Sequence, residues 1–396
     1  MLYIYDSGRK DALDDHHRAL TAANELRRRG IVPHTVQGKK ELMHTLHGDF
    51  EDFLLIPFSF YDDLHEIIIY CNNRRIPVLT AHNYPDYFPD CFYSTVSRDT
   101  FRCMRMTLAY LIHITKPEPK IAFFGTTPHA YADRAKINSL YSLYSPMENE
   151  DIYFNSTCFS ECFDCFFQKR TQYDAVICAN SYIAVAFIKR LEETDPEYRK
   201  NLPVVSFLNT EISKLFYTPI SIIEYQEDSI YNSVIHTYKT IKSNNSISSV
   251  NIHLENDIRI RGSSWGIVPE HNAVYDLTLP YYTENRTPVY PACDATSTEY
   301  VNDPSLRDIV LLERLLYKAD ILDLKIILDF LNGMKNVDIS EELYVSIQTI
   351  QYRSREMFRI LDVGKKGDFI RKITQYICAD TLTVYINKRE RQETSE

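Results

Sequence analysis

Glycine is scarce in this sequence: 10 glycines stand among 396 residues, against 29 tyrosines and 20 phenylalanines. Aromatic side chains must therefore fill much of any core and any pocket. No apolar run is long enough to span a bilayer, and the opening residues, MLYIYDSGRK, have neither the charged lead nor the long apolar core of a signal peptide. We find no Walker loop, no GxSxG motif and no pairing of a nucleophile with a base, so we expect neither an enzyme nor a cofactor.

Net positive charge is also absent. The chain carries −10 at pH 7, which argues against a protein that coats nucleic acid along its whole length. Its nine cysteines are odd in number and scattered, which indicates reduced thiols in a cytoplasmic protein. An apolar content of 44% and a charged content of 25% are typical of globular proteins, and the length predicts two or three domains.

Predicted strands alternate with predicted helices over the first two thirds of the chain. This alternation predicts an α/β fold of parallel sheets with helices on both faces. The pattern runs once and then repeats, so we expect two similar lobes. The predicted strands are Leu2–Tyr5, Val32–Val36, Phe53–Ile56, Ile76–Thr80, Tyr93–Val96, Ile121–Phe124, Ile152–Phe154, Ala175–Ala179 and Val204–Leu208.

Several segments of this region follow one another as they do in the LacI/GalR-type regulators. Residues Asp174–Glu193, DAVICANSYIAVAFIKRLEE, resemble that family's strand and helix around Ala-Asn-Asp. The stretch STVSRD ends at Asp99, and a later strand is followed by Gly125 and Arg134, in the family's order. Residues Ile258–Ser264 resemble the family's closing L-x-x-R-x-S-T.

This resemblance implies a periplasmic-binding-protein-like sensor domain over residues 1–265, in which two Rossmann-like lobes close on a small ligand. Ligands of open α/β sheets bind at the carboxyl ends of the strands, which makes Phe58, after the third predicted strand, a candidate contact. Arginine, aspartate and asparagine among aromatic rings suit a sugar or another metabolite, although each can instead simply cap a helix. The other contacts that the resemblance implies are Asp99, Arg134, Phe154, Asn180, Asn209 and Tyr225.

Residues 266–318 form a connector that five prolines interrupt. Tyr275–Tyr282 is predicted as an edge strand and Leu306–Lys318 as a helix. The sequence indicates no function for the connector.

Residues Ile339–Val363 have the pattern of a helix-turn-helix. Ser346 is placed to cap a helix on which Ile350, Met357 and Leu361 share one face. The opposite face is basic, and between residues 346 and 372 seven basic residues stand against three acidic ones. Such a face suits a helix that enters a major groove, although an ordinary solvated helix has the same pattern.

With its flanks, this stretch resembles the LuxR/GerE-type DNA-binding domain over about residues 319–378. The family's Ser, its Thr-Val-Lys-x-His and its closing Leu-Gly-Val correspond to Ser346, to Thr349 through Arg353, and to Leu361–Val363. The family's Lys and His are therefore Gln351 and Arg353 here. The resemblance implies an all-α DNA-binding domain, residues 319–396, whose DNA contacts are Thr349, Gln351, Tyr352, Arg353, Arg355 and Arg359.

Two patterns could hold a metal. The spacing of Cys158, Cys162 and Cys165 matches the iron–sulfur motif of radical S-adenosylmethionine enzymes, but these cysteines share a predicted helix with four phenylalanines, as core residues do. Asp14–His17 and the His44–His47 pair match no known site spacing, so we expect no metal site.

These features together predict a ligand-responsive transcription regulator. A small molecule bound between two lobes would control a C-terminal helix-turn-helix that binds double-stranded DNA as a homodimer in the cytoplasm, without a membrane partner. The chain begins at the first predicted strand, so we expect the C-terminal unit to replace the N-terminal headpiece of LacI/GalR-type regulators. The alternatives are a small-solute binding protein and an enzyme on the same scaffold.

Overall fold

The computed structural model describes residues 1–7, 13–48, 50–57, 61–81, 88, 90–127, 130–225, 227–244, 247–264, 288–290 and 300–393. The chain divides into two compact units, residues 1–103 with 225–257 and residues 104–224 with 258–396. We call the first unit lobe 1. In the second unit, residues 104–224 with 258–264 are lobe 2, and residues 304–393 are the C-terminal helices. No helix among the described residues has the length and apolar character that crossing a membrane requires.

The described residues form two sheets and many helices. The strands are β1 (Leu2–Asp6), β2 (His34–Gln37), β3 (Phe53–Ile56), β4 (Val78–Ala81), β5 (Ser94–Arg98), β6 (Ile121–Thr126), β7 (Ile152–Phe154), β8 (Ala175–Cys178), β9 (Val204–Ser206), β10 (Ser221–Tyr225), β11 (Asn251–Leu254) and β12 (Asn256–Arg259). The helices are α1 (Leu13–Arg28), α2 (Gly38–Thr45), α3 (Tyr61–Asn73), α4 (Thr100–Ile114), α5 (Tyr131–Leu143), α6 (Phe159–Lys169), α7 (Ser181–Thr194), α8 (Pro196–Lys200), α9 (Glu211–Leu215), α10 (Glu227–Ser243), α11 (Pro304–Lys318), α12 (Ile321–Leu331), α13 (Asn336–Glu342), α14 (Ile347–Ile360), α15 (Lys366–Thr374) and α16 (Ala379–Glu393).

Lobe 1 contains a six-stranded sheet in the order β11-β5-β4-β3-β1-β2. All of its strand pairs are parallel. The central strand β3 reads Phe-Leu-Leu-Ile and is buried throughout, because helices cover both faces of a parallel sheet. The edge strand β11 was not predicted: only its last residue, Leu254, is buried, so its sequence lacks the apolar run of a central strand.

Lobe 2 contains a second six-stranded sheet, in the order β12-β10-β9-β8-β6-β7. Its central strands β6 and β8 are parallel and in register from Ile121 with Ala175 to Phe124 with Cys178. Residues that follow β6 and β8 therefore lie at the same edge of the sheet, which is where open α/β sheets bind ligands. The predicted α/β class is confirmed: the structure has two mostly parallel sheets and a helical C-terminal region.

Gly125 allows α7 to pack closely against the end of β6. Its φ of +75° is one that L side chains rarely adopt, and an added Cβ would lie 2.3 Å from Cγ2 of Ile183. Only glycine meets both requirements without a shift of the backbone. The position also marks where the predicted strand Ile121–Phe124 ends.

Helices α13 and α14, with the turn between them, cover the stretch that was predicted as a helix-turn-helix. Ser346 Oγ accepts the backbone N–H of Thr349 at 3.1 Å, so the predicted cap is confirmed. Ile350, Met357 and Leu361 are buried as the pattern indicates. In the preceding turn, Tyr344 has a φ of +55° and its side chain is 95% exposed.

The C-terminal helices share one hydrophobic core with lobe 2. Leu312 and Leu316 of α11 belong to the same buried cluster as Phe187 of α7. Backbone pairing adds to this packing, since Phe216 forms an isolated β-bridge with Ile377. The predicted domain boundaries, at residue 265 and at residue 319, remain predictions. Tyr275–Tyr282, the predicted edge strand, lies outside the described residues.

Candidate ligand and DNA-binding sites

A buried ion pair lies at the carboxyl edge of the lobe 2 sheet. Lys136 Nζ lies 2.9 Å from Asp133 Oδ1 and donates a 2.7 Å hydrogen bond to the carbonyl of Ala179, after β8. Asp133 Oδ2 accepts the backbone N–H of Thr127, after β6, at 2.9 Å. The two charged residues are only 5% and 8% exposed. The pair therefore holds two strand ends together at the predicted ligand edge without adding net charge there.

Asn180, one of the predicted contacts, uses both ends of its amide. Its Oδ1 accepts the backbone N–H of Ile183 at 3.1 Å and so caps α7. Its Nδ2 donates a 2.7 Å hydrogen bond to Oη of Tyr300, in the connector. The Asn180 oxygen therefore caps a helix, as one of the two expectations for these residues had it. The amide nitrogen of the same side chain binds a tyrosine hydroxyl.

Arg134 and Phe154 meet through a second connector residue, Tyr290. The guanidinium carbon of Arg134 lies 4.7 Å from the centre of the Tyr290 ring. The ring of Phe154 meets the same ring edge to face, with centroids 6.3 Å apart and an interplanar angle of 70°. Two predicted contacts from different elements, α5 and β7, thus converge on one aromatic ring.

Asn209 lies at the same edge, after β9. Arg261 Nη2 donates to Asn209 Oδ1 at 3.2 Å, while Nη1 donates to the carbonyl of Ile220 at 3.0 Å. Ser181 Oγ donates to the carbonyl of Leu208, which brings the residues after β8 next to those after β9. Asn180 and Asn209 therefore belong to one group of polar residues, and Arg261 joins it.

The remaining predicted contacts are Asp99, Phe58 and Tyr225. Asp99 Oδ1 accepts the backbone N–H of Arg102 at 2.9 Å and so caps α4, which is the alternative role for that residue. Phe58 lies outside the described residues. Tyr225 ends β10, and its side chain is not among those described.

The three cysteines at α6 differ in burial. Cys162 is buried, Cys158 is partly buried and Cys165 is exposed, and they are not within common ligating distance of one another. Burial raises the pKa of the Cys162 thiol to about 12, as expected for a core cysteine. The burial of Cys162 agrees with the core alternative, whereas Cys165 lies on the exposed side of the helix. Among the described residues, His65, Asp90 and Cys91 of lobe 1 are the group whose potential metal ligands lie within 4.8 Å of each other.

Helix α14 presents the residues predicted to contact DNA along its outer side. Gln351, Arg355 and Arg359 are exposed, and the Tyr352 ring is 67% exposed. Thr349 is partly buried beside the cap. An exposed row of amide, phenol and guanidinium groups on a helix whose other face is buried can donate to base edges and phosphates.

Arg353 differs from its neighbours because it is held inside the domain. Its Nη1 lies 2.7 Å from Asp320 Oδ2 and 2.9 Å from Asp323 Oδ1, and its side chain is 29% exposed. The hydrogen bond to Asp323 raises the pKa of Arg353 further above its usual value. These ion pairs fix α14 against the first turn of α12.

Several residues of these sites were not predicted from the sequence, and Tyr290, Tyr300 and Glu313 are examples. Glu313 of α11 is buried and accepts the backbone N–H groups of Glu211 and Ile212 at 3.0 and 2.7 Å. The only available signals were tyrosines in a proline-interrupted connector and a glutamate between leucines on an amphipathic helix. Neither of these local signals indicates which residue, more than 100 positions away, the tyrosine or the glutamate contacts.

No family model matches this chain, and no curated protein matches it in sequence. Solved structures do resemble it. The transcriptional regulator CelR, solved in complex with cellobiose, has a TM-score of 0.51 at 14% identity over 66% of this chain and 84% of its own. The Lac repressor, bound to ONPG in its repressed state, has a TM-score of 0.51 at 11% identity over 67% of this chain and 82% of its own. The chain therefore has the two-lobed, periplasmic-binding-protein-like fold that its resemblance to LacI/GalR-type regulators implied.

Proposed function

We propose that this protein is a ligand-responsive transcription regulator that acts in the cytoplasm as a homodimer on double-stranded DNA. Its effector is a sugar or another small metabolite, and its C-terminal unit, residues 319–396, is a LuxR-type helix-turn-helix. The fold that it shares with CelR and the Lac repressor supports a sensor role. The capped α14, with its buried apolar face and exposed basic face, supports DNA binding.

The observation that carries the proposal is that α9 connects the predicted ligand edge with the proposed DNA-binding unit. Asn209 is followed by Thr210, whose Oγ1 accepts the backbone N–H of Ser213 at 3.2 Å and caps α9. The first two N–H groups of α9 donate to the carboxylate of Glu313 in α11.

Within the C-terminal unit, α16 and the turn before it also contact α9 and the residues that follow α9. Tyr385 of α16 donates its hydroxyl proton to the carboxylate of Glu211. Tyr217, just after α9, donates its backbone N–H to the carbonyl of Tyr376 at 2.9 Å. A ligand that moves Asn209 would therefore act on α11 and α16, and a ligand changes DNA affinity only if it binds the two arrangements unequally.

On DNA, we assign base contacts to Gln351, Tyr352 and Arg355. Glutamine pairs bidentately with adenine and arginine with guanine, so these side chains would specify sequence. Thr349, Arg353 and Arg359 would lie nearer the phosphates and fix the position of α14 in the groove. The ion pairs of Arg353 with Asp320 and Asp323 both use Nη1, so we expect its other guanidinium nitrogens to contact a phosphate.

A selection experiment tests the proposal. The full-length protein is incubated with a pool of randomised duplexes, with and without a metabolite extract, and the bound DNA is sequenced. We expect one enriched sequence family whose bound fraction changes with the extract. Arg355→Ala should lose the enrichment, whereas Lys200→Ala, a matched change to a side chain 67% exposed in lobe 2, should retain it. A bound pool without any shared sequence would contradict the proposal and favour a small-solute binding protein or an enzyme.

A further inference from the structure

Three of the proposed ligand contacts in lobe 2 are each met by a tyrosine from the connector. Tyr290 meets Arg134 and Phe154, and Tyr300 meets Asn180. These contacts span 120 or more positions of sequence, so they are features of the tertiary structure alone. The lobe 2 side of the proposed site is thus in contact with the protein's own phenolic rings.

The contacts of Tyr290 are those that a bound small molecule would make. Arg134 lies over the face of the ring, and Phe154 meets the ring edge to face, which are both favourable geometries for a π system. The hydroxyl donates to Asn138 Oδ1 at 2.7 Å and lies 3.3 Å from the carbonyl of Arg134. Burial raises the pKa of Tyr290 to about 12, so the phenol is neutral and keeps its proton to donate.

The segment that carries Tyr290 has its own attachment point on lobe 2. The backbone N–H of Val289 donates to Asn149 Oδ1 at 3.1 Å, and the same oxygen accepts the hydroxyl of Tyr141 at 2.5 Å. Pro288 is buried, whereas the Val289 side chain is 67% exposed. The attachment keeps the ring near the site at a high effective concentration, of the order of millimolar for a short tether.

Tyr300 is fixed much more firmly than Tyr290. It begins a 3-10 turn, Tyr300–Asn302, that leads directly into α11, and its ring packs edge to face on Tyr182 at 6.3 Å. Asp303, next in the chain, caps α11 and also accepts the backbone N–H of Phe159 at 2.7 Å. Tyr300 is therefore held by the helix that it leads into, whereas Tyr290 is held by its own side-chain contacts and by the bond of Val289 to Asn149.

We propose that Tyr290 is an internal ligand of lobe 2, and that the effector is a small molecule with a hydroxylated aromatic ring that takes its place. This inference rests on the proposed function, since it assigns the chemical class of that effector and the way in which its site is regulated. Arg134 and Phe154 select a π system, and Asn138 selects a hydroxyl donor on it. A free effector must compete with the tethered ring, so the intact protein binds it more weakly than its contacts alone would allow.

Chemical rescue with p-cresol, which has the ring and hydroxyl of a tyrosine side chain, tests this proposal. In the full-length Tyr290→Ala variant, we expect p-cresol to bind about 10- to 100-fold more tightly than to the wild type, as for a site that is vacant in 1–10% of wild-type molecules. Binding is measured by calorimetry and by the rise in melting temperature. Adding Arg134→Ala to the variant should abolish the gain.

Two further variants keep the test decisive. Tyr344→Ala, a matched removal of a tyrosine that is 95% exposed, should bind p-cresol as the wild type does. Tyr290→Phe keeps the ring but loses the bond to Asn138, so its affinity for p-cresol should lie between those of wild type and Tyr290→Ala. Equal p-cresol affinity in the wild type, Tyr290→Phe and Tyr290→Ala would overturn the internal ligand. Tighter binding of methyl glucoside than of p-cresol to Tyr290→Ala would overturn the aromatic class.

The failure of this proposal can be told apart from a failure of the proposed function, because p-cresol binding is measured without DNA. If the selection recovers a DNA sequence and p-cresol rescue fails, the proposal of a transcription regulator is supported and the proposal of an internal ligand is contradicted. If p-cresol rescue succeeds and no DNA sequence is recovered, the ligand site stands and the regulator does not.

Discussion

Glu313 Oε2 accepts the backbone N–H of Ile212 at 2.7 Å, across 101 positions of sequence. This bond joins α11, which leads into the C-terminal unit, to α9 at the ligand edge of lobe 2. Because Glu313 is buried and its carboxylate accepts two N–H groups of α9, its ionisation bears directly on the stability of this junction.

We predict that Glu313 makes the protein less stable as the pH rises. Its pKa is raised from 4.5 to about 7: burial is the main cause and the charge of Glu211 adds to it, while the two N–H bonds and Lys214 partly oppose the shift. The folded state therefore holds the proton more tightly than the unfolded state. The stabilisation is complete below pH 4.5 and is lost as the pH rises through about 7.

Urea unfolding of the wild type and of Glu313→Gln at pH 5 and pH 8 measures this effect. The wild type should lose about 2–3 kcal/mol more than the variant between these pH values, at about 1.4 kcal/mol per pKa unit. Glu197→Gln, at a carboxylate that is 80% exposed, serves as the matched control and should follow the wild type. Identical pH dependence in all three proteins would show that Glu313 is not the titrating group.

We predict that Gly125→Ala destabilises lobe 2 by about 2–4 kcal/mol, from backbone strain and overpacking together. The new methyl group would collide with Ile183 at a φ of +75°. Gly364→Ala is the control, since nothing lies within 4 Å of its added Cβ. Thermal or urea unfolding gives both values, and a Gly125→Ala variant as stable as Gly364→Ala would mean that α7 does not approach β6 so closely.

Arg134 is expected to bind the effector without being needed for folding. Once a compound is found that raises the melting temperature of the wild type, Arg134→Ala should remove that shift and leave the melting temperature without compound almost unchanged. Arg28→Ala, a change to an exposed arginine of lobe 1, should keep the shift. Should the shift survive in Arg134→Ala, the ligand contacts in lobe 2 would have to be reassigned.

The proposed roles of Gln351 and Arg353 predict opposite effects on DNA recognition. Gln351→Ala should relax specificity at one base position of each half-site, since a bidentate pair gives about 1–3 kcal/mol of discrimination. Arg353→Ala should weaken binding to all sequences equally, because it removes a phosphate contact and the ion pairs to Asp320 and Asp323 that hold α14. Repeating the sequence selection with both variants measures this, and the reverse pattern would mean that α14 is rotated in the groove.

Local sequence patterns predicted the parts of the fold that local physics determines. The helix predicted around Cys162 and Cys165 is α6, because its phenylalanines recur at helical spacing. Ser346 was predicted as a cap because the hydroxyl and the N–H that it accepts are only three residues apart. The predicted strand Ile152–Phe154 likewise has the bounds of β7.

The candidate site was predicted less completely, because its contacts join distant residues. The family resemblance indicated Arg134, Phe154 and Asn180, but no pattern near them indicates that Tyr290 and Tyr300 would meet them. A tyrosine in a proline-interrupted connector has the same local sequence whether it packs on lobe 2 or lies in solvent. The same holds for Arg353. The sequence predicts that Arg353 lies on a helix, whereas its ion pair with Asp320 depends on how α14 packs against α12.

The salt dependence of DNA binding by the full-length protein tests the central claim most directly. Fluorescence anisotropy is measured on the selected duplex between 50 and 200 mM salt, a range in which phosphate contacts dominate the change in affinity. With an excess of four positive charges around α14, we expect the logarithm of the affinity to fall with the logarithm of the salt concentration with a slope of about −4 per bound unit. Arg359→Ala should reduce that slope by about one. An affinity that does not change with salt, or a slope that Arg359→Ala leaves unaltered, would contradict the claim that α14 binds DNA.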